Sequence, residues 1–201
     1  MRIFLSIWIG LFSSVCFLNS HSAKAQSLEF TPISIRKMPQ SVDDFIAIRD
    51  ELGQNANGGA VCFLVALLTY SKNADFGTKL LTMTIDRELL IQGSSYNGFQ
   101  PKISDLTTFK TILAQKPYLF NTFVSGTFVE QNYQLPPEPL SFDLVRNPPA
   151  MYKETGEVNR VLVKSSIDGK PRMLKLRKDY KGFWKVYDWS GILIDISNKK
   201  Q

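Results

Sequence analysis

The sequence predicts an α+β fold, with N-terminal helices packed on a C-terminal antiparallel β-meander of about four to five strands. Three observations carry that reading. Apolar residues recur at helical spacing as far as Val124. A cluster of prolines, Pro136, Pro137, Pro139, Pro148 and Pro149, then forbids helix. Beyond Met151 the apolar period becomes two, with glycine-containing turns between the runs.

The chain opens with Met1-Arg2, an apolar run from Ile3 to Leu18, and Ala23-Lys24-Ala25 ahead of Gln26. This is the pattern of a cleavable secretory signal, and the run is shorter than the ~20 residues that span a bilayer. Residues 1–25 are therefore expected to be removed, leaving residues 26–201 as one domain with no transmembrane segment. Cys16 invites a lipoprotein reading, but Val15 stands where lipoprotein processing expects a small residue.

Ser41 followed by Val42, Asp43 and Asp44 reads as a helix start, and Val42, Phe45, Ile46 and Leu52 give the helix one buried face before Gly53 ends it. Ala60 to Tyr70 is apolar on every side and too short for a membrane, so it reads as a helix at the centre of the fold. Asp75 to Ile85 continues the pattern with Phe76, Leu80, Leu81 and Met83. Gly93 to Gly98 is expected to be a loop. Asp105 is expected to cap a helix bearing Leu106, Phe109, Ile112 and Leu113, and Pro117 to open a short helix through Val124.

Leu140 to Arg146 is expected to be extended. Arg160 to Ile167 then sets Val161, Val163 and Ile167 against Arg160, Leu162 and Lys164, with Asp168-Gly169 as a hairpin turn. Met173 to Lys178 and Phe183 to Trp189 supply two further strands around Asp179 to Gly182. Ile192, Ile194 and Ile196 are expected in a last one.

Removal of the signal also removes chemistry. The only histidine, His21, and one of the two cysteines, Cys16, lie within it. What remains has the single thiol of Cys62 and no imidazole. That excludes Ser-His-Asp and Cys-His nucleophilic sites, a His-based zinc site and an intramolecular disulfide. Carboxylate-pair catalysis, a lysine-activated serine or a cation held by oxygens survive. Asp43-Asp44 and Asp86/Glu88 do not have a spacing that defines a catalytic pair. No Asp-x-Asp-x-Asp calcium loop or phosphate-cradling glycine loop is present. No catalytic residue, cofactor or metal ligand is assigned.

Charge is asymmetric. The chain carries a formal +6, and Met151 to Gln201 holds 12 basic against 6 acidic residues. If the strands align, Arg160, Lys164, Lys175, Arg177 and Lys185, with Tyr187 alongside, form a basic ladder. Such a ladder suits anionic lipid, an acidic glycan or an envelope protein, and nucleic acid is not expected outside the cell. A one-residue slip of register would move these groups to the other face. Phe183, Trp184, Tyr187 and Trp189 could instead line a groove for a sugar or peptide, although Trp184 shares the Val186 face, which more often faces a core.

Three stretches together resemble the bacterial domain-of-unknown-function 6935 family. They are Gly59 to Tyr70 with Asp75-Phe76-Gly77, Pro117-Tyr118 through Gly126-Thr127 to Asn132-Tyr133-Gln134-Leu135-Pro136, and Phe183 to Gly191. The resemblance implies a single domain and carries no activity. Three readings of function stay open: an exported, non-enzymatic binding domain of the periplasm or extracellular space, a histidine-free hydrolase using a carboxylate pair, and a structural or accessory envelope protein.

Overall fold

The computed structural model describes residues 28–145 and 158–193. The signal segment with Cys16 and His21, the prolines at 148 and 149, and Ile194 and Ile196 of the expected last strand lie outside the described residues.

Ser41 caps the first helix, α1 (Val42–Leu52), as expected. Its Oγ accepts from Asp44 N at 3.1 Å, and the Asp44 carboxylate accepts in return from Ser41 N at 3.0 Å. Gly53 closes the helix by donating to the Arg49 carbonyl at 2.7 Å. Asn55 caps α2 (Ala56–Lys72), whose residues Ala60 to Leu68 are each no more than 2% exposed. With no polar face, α2 is stable only when covered all round. It is covered by α1, by α3 (Ala74–Thr84) and by the sheet.

That sheet has five strands in the order β1, β4, β5, β6, β7, all antiparallel: β1 (Phe30–Ile35), β4 (Leu140–Val145), β5 (Val158–Lys164), β6 (Pro171–Lys178) and β7 (Trp184–Asp188). Alternation holds in β6 and β7 but only in part in β5, where Leu162, on the face of Arg160 and Lys164, is buried as well, and Ile167 falls in the turn after the strand. Val161, Val163, Leu174, Leu176 and Val186 are buried beneath the helices, while Lys164, Lys175 and Arg177 are not. Trp189 extends the core beyond β7, with its ring 5.8 Å from Phe63 and 6.0 Å from Phe109.

The structure departs from expectation elsewhere too. Phe30 to Ile35 forms β1, an edge strand, where Pro32 is tolerated because the outer side needs no ladder donor. Gly93 to Gly98 is not a loop but most of a hairpin, β2 (Leu90–Tyr96) and β3 (Phe99–Pro101), turned by Asn97 at φ 48° and Gly98 at φ 80°. The fourth helix, α4 (Ile103–Gln115), starts after Lys102, so Asp105 lies inside its first turn instead of capping it. The short helix after Pro117 is a 3-10 turn from Leu119 to Phe123. Finally, Ile192 and Leu193 belong to a single helical turn, α5 (Ser190–Leu193), and not to a strand. The cause is Asp188, whose Oδ1 accepts from Ser190 N at 3.0 Å and from Ser190 Oγ at 2.6 Å and so bends the chain where a strand would continue.

Candidate functional site

β7 is the edge of the sheet, and neighbouring loops cover its free side. Trp184 N donates to Gly53 O, and Asp86 N to Val186 O. This docking brings the end of α1, the end of α3, the β2–β3 hairpin and the β6–β7 turn around one groove of about 350 Å³.

Cations and aromatic rings dominate its lining. Arg87 lies 3.3 Å from the centroid of the Phe99 ring, Arg49 lies 4.7 Å from that of Phe183, and Lys181 lies 5.6 Å from that of the exposed Tyr180. With Lys185 there are four cations against one carboxylate, Asp179. Arg49 also pairs with Asp50 at 2.7 Å, whereas the Arg87 guanidinium and the Lys181 ammonium face rings and form no ion pair with a carboxylate among the described residues.

Lys185 is the most enclosed of the four, with 12% of its side chain exposed. Its Nζ donates to the carbonyl of Met83, one of the last carbonyls of α3 that the helix itself leaves unpaired, and lies 3.8 Å from Asp179 Oδ2. Burial pushes its pKa below the ordinary 10.5, and the attraction of Asp179 only partly offsets that. Lys185 thus ties the sheet edge to a helix end and places a cation at the back of the groove.

The six residues singled out from the sequence divide between two environments. The register sets Arg160 opposite Lys175 and Arg177 opposite Lys185. Along the ladder, carboxylates have moved in: Lys175 meets Asp188 at 2.7 Å, Arg177 meets Glu88 at 2.6 Å and Asp86 at 3.9 Å, and Lys164 meets Asp143 at 3.8 Å. Tyr187 lies under Arg177, at 5.2 Å. Of the six, Lys185 is the one that lines the groove. The aromatic set divides likewise. Phe183 lines the groove, while Trp184 packs on Gly59 and Trp189 in the core.

Arg49, Arg87, Phe99, Tyr180 and Lys181 were not singled out from sequence. They come from four separate elements, and the one local signal was Asn97-Gly98, a strong hairpin dipeptide that places Phe99 opposite Gln92.

The shifted carboxylates serve the fold. N–H groups of Gln40 and Ser41 hold the Asp44 carboxyl below its usual value as a helix cap. Burial raises that of Asp105 in the first turn of α4. Cys62 is 2% exposed, and burial pushes its thiol pKa up to about 12, so at neutral pH it is a protonated core residue. Among the described residues no cluster of three or more His, Cys, Asp or Glu side chains could hold a metal, and no helix is long and apolar enough to cross a membrane.

Comparison with known proteins agrees with the resemblance read from the sequence. The model of a family described as a domain of unknown function, DUF6935, matches residues 37–200. The chain belongs to the DUF6935 family. The match begins just after β1 and takes in every other element of the sheet as well as the whole groove. No curated protein and no solved structure matches the chain.

Proposed function

We propose that this DUF6935 protein is an exported, non-enzymatic binding domain of the bacterial cell envelope, and that the groove beside β7 receives an anionic group of its ligand. The supporting observation is that Arg87 and Lys181 are held against aromatic rings and not against carboxylates. A guanidinium or ammonium on a ring keeps its hydrogen-bond donors for an incoming carboxylate or phosphate, and the ring restricts the side chain in advance. On the sheet face, by contrast, an anionic ligand would have to displace Asp188 from Lys175 and Glu88 from Arg177. The groove is thus the better receptor, with the ladder beside it as a weaker extension.

The ligand chemistry follows from the lining. Phe99, Phe183 and Tyr96 supply flat apolar area, and the cations supply charge, which suits a lipid headgroup, an acidic glycan or an acidic segment of an envelope protein. Export is supported by the signal pattern of residues 1–25.

Two measurements test this reading. The protein recovered from the producing cell is expected to begin at Gln26 by intact mass. It is also expected to be retained at low salt on phosphatidylglycerol vesicles or polygalacturonate beads, but not on phosphatidylcholine vesicles or neutral agarose, with retention lost as salt rises. An uncleaved product would refute export by this signal, and equal retention on neutral supports would refute the anionic ligand.

A further inference from the structure

A second cavity, of about 240 Å³, lies on the other side of the sheet's centre, where the turn from Thr122 to Phe128 meets Asp143 of β4 and Lys164 of β5. Thr122, Ser125, Thr127 and Ser166 bring hydroxyl-bearing side chains to its lining. Thr127 Oγ1 and Ser166 Oγ are 2.8 Å apart, and Thr127 already donates to the Val124 carbonyl at 2.9 Å. With the Thr127 proton engaged there, Ser166 acts as the donor between the two and keeps its own lone pairs for another donor. Ser125 Oγ is closed off from solvent and is the one buried side-chain oxygen or nitrogen without a hydrogen-bond partner among the described residues. Such a group costs free energy unless something pairs with it. At the rim, Lys164 Nζ and Asp143 Oδ2 stand 3.8 Å apart, and Phe128 is 56% exposed.

We propose that this cavity binds one pyranose ring of a neutral sugar. Asp143 repels an anion, but with Lys164 it offers an acceptor beside a donor, the match for two vicinal hydroxyls. Ser166 offers a further partner for a ring hydroxyl. The exposed face of Phe128 suits the apolar C–H face of a pyranose, which explains a large aromatic left in solvent. The volume falls below the roughly 300–1,000 Å³ of sites for larger ligands, so one ring is received and not a chain. The site shares no residue with the groove and does not depend on that reading.

The test is saturation-transfer difference NMR on the purified protein with methyl glycosides of glucose, galactose, mannose and N-acetylglucosamine at millimolar concentration. At least one is expected to give ring-proton transfer. Asp143→Asn is expected to weaken it by about tenfold, since the acceptor loses its charge. Phe128→Ala, an exposed position that leaves the core untouched, is expected to remove it, while Arg87→Ala leaves it unchanged. Transfer from none of the four sugars, or transfer that survives Phe128→Ala and Asp143→Asn alike, would overturn the proposal.

Discussion

Gly59 of α2 lies directly against the backbone of Trp184 in β7: a Cβ at residue 59 would sit 2.6 Å from the Trp184 carbonyl oxygen and 2.8 Å from its Cβ. This contact sets how closely the central helix approaches the sheet edge that carries Lys185. Gly59→Ala is therefore expected to destabilise the protein by about 1–3 kcal/mol, as overpacking does. Gly98→Ala meets nothing within 4 Å and is expected to lose only the cost of a positive φ, about 1 kcal/mol. Urea unfolding of the two variants compares them directly. Equal losses would mean that α2 can shift away from β7.

The depressed pKa of Lys185 predicts an alkaline gain in stability. Between its folded value and 10.5 the unfolded chain binds the extra proton, so stability rises with pH across that window. In Lys185→Met that increment is expected to disappear. Parallel slopes for the two proteins in unfolding experiments between neutral pH and pH 10.5 would show that the amine is not desolvated.

Asp188 predicts the acid limb. Burial pushes its carboxyl up, but hydrogen bonds from Lys175 and Ser190 outweigh burial and hold the pKa below 3.8. Its contribution is present above 3.8 and is lost as pH falls through the lower folded value. Asp188→Asn is expected to flatten the stability profile in that range. A profile matching the wild type below pH 4 would contradict the pairing.

Cys62 is expected not to react with a thiol reagent such as DTNB in the native state, and to react stoichiometrically once the chain is unfolded in urea. Rapid labelling without denaturant would place it outside the core.

Legibility in the sequence followed how local each signal was. Ser41 with Asp44, and the unbroken apolar run around Cys62, are contained in a few consecutive residues, and both helices formed there, although α2 starts at Ala56, four residues ahead of its apolar run and inside a stretch, Gln54 to Gly59, that reads as a loop. Asn97-Gly98 was equally local, but the glycine and serines around it masked the hairpin as a loop. β1 was invisible because its partner, β4, lies about 110 residues away and Pro32 interrupts its pattern. The groove was harder still. Arg87 and Phe99 meet only because the hairpin folds back onto α3, and Lys185 turns to Met83 only because α3 ends beside β7.

If the groove, and not the sheet ladder, receives the anionic ligand as proposed, charge reversal separates the two surfaces. The most direct measurement is retention at low salt on the anionic support that holds the wild type, for two charge-reversed variants: Arg87→Glu/Lys181→Glu in the groove and Lys175→Glu/Arg177→Glu on the ladder, each checked for an unchanged thermal melt. The groove pair is expected to abolish retention while the ladder pair lowers it only in part. Retention that survives reversal of the groove but not of the ladder would contradict the account.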